Sequence, residues 1–358
     1  MATSMILPKK ELEDIRSELA SCKRPMYFFH DDADGVGSFL LLYRRVGEGQ
    51  GVIVKTNPRV STQFIRKVKE YGPDKIFITD LAMVDQDFID EVKLPIVWID
   101  HHTPQVRQGA KYFNPRVHHP DRNIPASRVC YEAVQEDLWI ATVGTTADWV
   151  LDKTLHKKFC KAHPGLSDPD LEHVEDVLQK TELGRLITII GFVLKGTASE
   201  ALKYVKVLTR IKSPEEILRQ ESAPGTFIYR RYEEISRIYE RLKKDSLASK
   251  VSDDVLVFIY EDNLLSLTKD LANDLLLQNP QTVVVIGRRK DDEVKMSLRA
   301  PMFVLPPVLE RSLLGIDGYG GGHEHACGCC VKVKDYDRFL AQFRTEVAKA
   351  IAETKRHK

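Results

Sequence analysis

The sequence predicts an α/β protein: a parallel, doubly wound N-terminal sheet domain joined by a helical connector to a smaller C-terminal α/β domain. Three observations carry that reading. Short apolar runs alternate with amphipathic stretches from Pro25 to Ile99, the pattern of parallel strands covered on both faces. Three of the first four runs end in ionisable residues. A second, shorter alternation begins near Val251, behind a charged stretch with apolar residues at helical spacing. At 358 residues and 43% hydrophobic content, the chain is long enough for two domains with cores of their own.

Taken in order, residues 8–21 have the spacing of a short amphipathic helix. Residues 25–30 are the first strand and 37–45 a helix. Residues 51–55, 75–79 and 95–99 read as further strands, with helices over 62–71 and 86–92 between them. Residues 111–114 suit an edge strand, and the loop 115–125 holds His118 and His119, read first as solvated loop residues. Residues 126–137 and 138–151 then read as helices, the second carrying Asp148 within an otherwise apolar face. Residues 152–212 are helical in pattern and contribute no evident chemistry. Residues 228–245 form the connector helix, set off by Ser213-Pro214 and Pro224-Gly225. Beyond it come strand 255–260, helix 264–278, strands 282–287 and 294–299, the glycine loop 318–323, a cysteine-rich strand 326–333 and a closing helix 336–354.

Composition narrows the function classes. Fifty-three basic against fifty-two acidic side chains leave a formal net charge of +1, so no global field draws the chain to duplex nucleic acid or to anionic lipid. No apolar stretch is long enough to span a membrane, and the first residues do not form a secretory leader, which suggests a cytoplasmic protein. Six cysteines, three of them crowded at Cys327, Cys329 and Cys330, lack the even spacing of a disulfide framework. A zinc site there is disfavoured as well, because strand alternation points Cys329 and Cys330 to opposite faces.

The segment His30-Asp31-Asp32-Ala33-Asp34-Gly35 places three carboxylates and an imidazole where an apolar strand ends. Such a cluster calls for a cation, although an acidic turn at a helix N-terminus would also account for it. Asp80 follows the third strand and Asp100-His101-His102 the fourth. In open α/β sheets ligands bind beyond the carboxyl ends of strands, so these residues should converge on one crevice. Their donors are mostly oxygen, which suits manganese or magnesium better than zinc. Two such ions about 3.5–4 Å apart can clamp a phosphodiester and stabilise both the attacking and the leaving oxygen.

Taken together, His30 to Gly35, Asp80, the triplet Asp100 to His102, Asp148 in its glycine-threonine helix and the late Gly320-Gly321-Gly322-His323 resemble the DHH phosphoesterase family, with a DHH domain followed by a DHHA1 domain. The form of the first motif is most similar to archaeal RecJ-like nucleases and short-oligonucleotide ribonucleases. The resemblance implies a catalytic domain over 1–212, a connector over 213–250 and a substrate-binding domain over 251–358. It implies two manganese ions, with magnesium as the alternative, bridged by Asp80. His30 and Asp32 would serve the first ion, and Asp34, His101 and Asp148 the second. Relatives with a longer first motif place their histidine where this chain has Phe28, a departure that bears on His30. Asp100 would support the imidazoles, and His102, Arg299, Gly320, Gly321, Gly322 and His323 would contact substrate. The activity implied is a metal-dependent exonuclease on single-stranded RNA or DNA, chiefly short oligonucleotides. A cyclic-dinucleotide phosphodiesterase and a non-catalytic replication scaffold are the alternatives. A replication or repair partner and oligomerisation are left open.

Overall fold

The first sheet is parallel throughout because its strands are apolar on both faces and joined by helical crossovers. The computed structural model describes residues 6–55, 59–249, 251–261 and 265–356. The chain divides into two compact units, Met1–Glu233 and Glu234–Lys358.

In the first unit the strands Gln50–Val54, Pro25–His30, Lys75–Thr79, Ile96–Ile99 and Ala110–Phe113 lie in that spatial order. All are parallel neighbours, so their carboxyl ends share one edge. Alternate side chains feed two separate cores. Tyr27, Phe29, Phe77, Val97 and Ile99 pack with the helical side that includes Val36, Phe39, Val129 and Ile140. Met26, Phe28, Ile76, Ile78 and Trp98 pack on the other side with Ile65, Val68, Phe88 and Ile89. Burial on both faces is the expected consequence of strands without polar alternation. The helix predicted from residue 37 begins earlier, at Ala33, because the Asp32 carboxylate accepts from the Gly35 amide and caps it. The expected long helix over 138–151 ends at Ala147.

The helix Ala223–Leu247 is the connector, longer than its predicted 228–245. The second unit holds a mixed six-stranded sheet in the order Gly318–His323, Ala326–Lys332, Glu293–Arg299, Val283–Lys290, Val255–Glu261, Val251–Ser252. The predicted glycine loop is therefore a strand at the sheet's edge, paired antiparallel with Ala326–Lys332. The reason is steric: a Cβ on Gly320 would lie 2.9 Å from the Gly328 carbonyl oxygen and from a Leu309 methyl, so only glycine lets this strand sit so close. A helix that the sequence did not announce, Leu305–Ser312, carries proline in its first turn, where no N–H donor is needed. Among the described residues no helix is long and apolar enough to cross a membrane.

Candidate metal centre

Asp80 is the residue on which the site converges. It follows strand Lys75–Thr79, is 2% exposed, and holds a left-handed backbone with φ 54° that turns the chain sharply at the strand end. His30, at the end of the neighbouring strand, places Nδ1 3.0 Å from Asp32 Oδ2 and 3.4 Å from Asp80 Oδ2. From the strand on the other side, His101 Nε2 lies 3.2 Å from Asp80 Oδ1. Among the described residues two groups each bring one donor atom per residue within 4.8 Å of one another: His30, Asp32 and Asp80, and Asp80, His101 and His102. Asp80 belongs to both.

Asp34 and Asp148 stand slightly apart from this centre. Asp34 accepts from the Ala126 and Ser127 amides, at 2.9 and 3.0 Å, and from the Ser127 hydroxyl, and its Oδ2 is 4.0 Å from His101 Nε2. Asp148 Oδ2 lies 3.7 Å from His101 Nδ1, on the side of the ring away from Asp80. His102 is oriented from behind: its Nδ1 is 2.8 Å from Asp100 Oδ1, and Asp100, fully buried, also accepts from the His102 amide and the Tyr112 hydroxyl.

Electrostatics match a site short of positive charge. Burial alone would lower the His30 pKa, but the carboxylates of Asp32 and Asp80 outweigh it and hold the ring well above the ordinary imidazole value. His101 behaves in the same way, with burial opposed by Asp80, Asp34 and Asp148. Burial, reinforced by the Asp80 charge, pushes the Asp34 carboxyl well above its usual range. Burial raises Asp148 too, with Asp80 and Asp32 adding to the shift. In such a cluster protons stand in for the missing cationic charge. Asp80 Oδ2 is buried and makes no hydrogen bond of good geometry, with His30 Nδ1 facing it at 3.4 Å, so it is an under-satisfied acceptor on the residue common to both groups. Together with the oxygen-rich donor set, this fits manganese or magnesium.

Three contributors escaped the sequence reading. Asn123 accepts from His101 Nδ1 through Oδ1 at 2.8 Å and donates to Asp148 Oδ2 through Nδ2 at 3.1 Å. A carboxylate offers only acceptors, so the amide must turn Nδ2 toward Asp148, and this leaves Oδ1 to take the Nδ1 proton of His101. In the metal-free chain Nε2 turns its proton toward Asp80, and with an ion bound the same atom would offer its lone pair to the metal. Lys55 Nζ lies 3.1 Å from Asp31 Oδ2 and donates to the carbonyls of Leu194 and Gly196, so Asp31 is neutralised by the protein itself. Ser127 holds Asp34. The first two sit outside any motif, and only the local polarity of the loop 115–125 hinted at Asn123.

In the second unit Arg299 is 8% exposed, donating from Nε to Asn273 Oδ1 and from one terminal nitrogen to the Leu298 carbonyl. Gly320, Gly321 and Gly322 are exposed on the edge strand, and the side chain of His323 lies outside the described residues. Cys327 and Cys329 belong to the hydrophobic core of this unit. His118 pairs with Glu11 at 2.8 Å.

Residues 26–155 match the DHH family, N-terminal domain, and residues 255–349 match the DHHA1 domain. The chain belongs to the DHH family. No curated protein matches its sequence. Among solved structures, the fold is similar to exonuclease RecJ bound to manganese, with 18% identity, a TM-score of 0.66 and coverage of 96% of each chain. RecJ from Thermus thermophilus in complex with Mn2+ gives 17% identity and a TM-score of 0.64; 96% of this chain is covered, but only 56% of that one. CDC45 from Entamoeba histolytica gives 10% identity and a TM-score of 0.56 over 94% of this chain and 98% of the other. At these identities the likeness is one of fold.

Proposed function

We propose that the chain is a divalent-metal-dependent phosphodiesterase that removes nucleotides from the ends of short single-stranded RNA or DNA. The observation that carries this reading is the buried, under-satisfied Asp80 carboxylate, placed where two groups of metal-competent donors meet. Two ions, manganese before magnesium, would be held by His30, Asp32 and Asp80 on one side and by Asp80, His101, Asp34 and Asp148 on the other. When bound, they would polarise the phosphoryl group and lower the pKa of a water. The side chains supply the rest. Asp100 accepts from His102 Nδ1 and fixes the ring, so that its Nε2 edge would face the substrate. Asn123 fixes the His101 tautomer and steadies Asp148. In the second unit, Arg299, the unpaired side of the edge strand at Gly320 to Gly322, and His323 would hold the strand.

A near-zero net charge argues for weak grip on long strands, hence distributive action on short ones. The test is incubation of the purified chain with manganese and end-labelled RNA and DNA of several lengths, beside a cyclic dinucleotide. Stepwise shortening of short strands, with little activity in calcium, is expected, since calcium favours longer bonds and more ligands. Cleavage of the cyclic dinucleotide alone, or of nothing, would contradict the reading.

A further inference from the structure

The second unit holds a charged side chain that its own fold leaves unpaired. Arg288, in strand Val283–Lys290, retains 9% of its surface, and its buried Nε has no hydrogen-bond partner. Among the described residues no hydrogen bond or ion pair engages its guanidinium. Nε is buried without a partner while the terminal nitrogens are not among the buried unpartnered atoms, so the edge of the fork reaches solvent with its donors unused by the fold.

Strand register shows what surrounds it. Val284, Ile286 and Arg288 share one face, and across the antiparallel ladder they oppose Arg299, Ser297 and Lys295 respectively. The helix Thr268–Gln278 lies over this face, because Ser297 Oγ donates to Thr268 Oγ1 at 2.9 Å and Arg299 Nε to Asn273. On strand Val255–Glu261 the same face is closed, with Tyr260 beside Arg288 only 5% exposed, and it opens only toward the opposite edge of the sheet. Lys295 opposes Cys330, and Cys330 opposes Tyr319, which is 67% exposed. Ser297 opposes Gly328, which opposes Gly321, and a side chain on either glycine would meet nothing within 4 Å. Lys295 has a counterion already, with Nζ 3.4 Å from Glu293 Oε2, and Lys332 lies 3.3 Å from the same carboxylate. Arg299 on this face has only neutral partners, and Arg288 has neither a counterion nor a hydrogen bond among the described residues.

We infer that Arg288 anchors a second backbone phosphate of the nucleic-acid strand whose other phosphate is held at Arg299; this rests on the function proposed above. Lys295, opposite Arg288, is four residues from Arg299, which sets the Cα atoms of Arg288 and Arg299 about 13 Å apart along the sheet. With the Arg299 fork tied to Asn273 and the Leu298 carbonyl, the two arginines serve separate anionic groups. A ligand that engages both carries at least two separated anionic groups, as an oligonucleotide does and a mononucleotide does not. The planar fork of arginine suits phosphate oxygens, and binding supplies the hydrogen bonds that the fold withholds from Arg288. The exposed Tyr319 ring and the bare Gly321–Gly328 pair leave room for the strand on the same face.

The test is fluorescence anisotropy of the full chain with a labelled single strand and, in competition, a mononucleotide, in calcium so that the strand persists. In Arg288→Met the strand Kd should rise about tenfold, the value of a lost charged hydrogen bond. The slope of log K against log salt should shrink by about 0.7, as one phosphate contact disappears. Mononucleotide affinity should move less than strand affinity. Melting temperature should hold or rise, since an unpaired buried charge is gone, and Arg288→Lys should bind the strand with intermediate affinity. Parental strand affinity and salt slope in Arg288→Met would overturn the inference, as would a fall in melting temperature in both variants, which would make Arg288 a structural residue. Because the readout is binding, a chain that holds strands through Arg288 yet cuts none would discard the phosphodiesterase reading and keep this one.

Discussion

At the carboxyl edge of the first sheet, Asp32, Asp80, His30 and His101 stand within 3.4 Å of a neighbour in the same cluster, and each depends on the others for its charge state. On the helix-covered face of the second sheet, Arg288 stands alone. The first region has more negative charge than its fold neutralises, and the second has a positive charge that its fold does not use. The clustered region is expected to be sensitive to protons, metal and any one of its members. Replacing Arg288 is expected to leave its neighbours in place, since no hydrogen bond or ion pair among the described residues depends on it.

That contrast can be broken first at Asn123, which joins two members of the cluster without being a candidate ligand itself. Asn123→Ala should weaken manganese affinity by about 10–100-fold, the usual range for a group that orients a ligating histidine. Manganese titration followed by electron paramagnetic resonance checks this, and parental affinity would show that the tautomer does not need the amide.

Acidity provides the next lever. In the metal-free chain the raised pKa values of His30 and His101 mean that the folded state binds protons more tightly than the unfolded one. Their stabilisation is fully present below the unfolded imidazole value of about 6.5 and is lost as pH rises through the folded values. Asp34 and Asp148, also raised, have the same sign and begin to lose their contribution from the acid side. The melting temperature in a chelator should therefore fall from pH 6 toward the alkaline range, and manganese should abolish the fall. A melting curve indifferent to pH with and without metal would contradict the coupling.

The smallest effect belongs to Lys55, which serves Asp31 at the rim and two carbonyls of the helical segment. Lys55→Met should cost about 1–3 kcal/mol in urea unfolding, the scale of hydrogen bonds from a charged donor. A larger loss would mean that Lys55 belongs to the cluster instead of its rim.

The same contrast explains what could be read from the sequence. Strands Pro25–His30 and Lys75–Thr79 and helix Gln86–Val92 lie where apolar periodicity put them, because the strands are buried along their length and the helix buries Phe88 and Ile89 on one face. His30, Asp32, Asp80 and His101 were legible because parallel strands bring their ends to one edge, so contiguous motifs translate directly into proximity. Asn123 was not, since a loop's path is fixed by contacts distant in sequence. Three consecutive glycines suggest a loop at Gly318–His323, whereas at Gly320 the close approach of Gly328 and Leu309 leaves no room for a side chain on what is a paired edge strand. Arg288 could not be singled out at all: an arginine in a strand looks like an ordinary surface residue until register shows what lies opposite it.

The role proposed for Asp80, joining two metal positions that serve phosphodiester hydrolysis, can be read from manganese stoichiometry by equilibrium dialysis beside oligonucleotide cleavage for the parent and Asp80→Asn. Two ions per chain are expected in the parent, and in the variant loss of metal together with loss of cleavage by orders of magnitude, with circular dichroism unchanged. Two ions retained in Asp80→Asn, with cleavage near the parental rate, would contradict it.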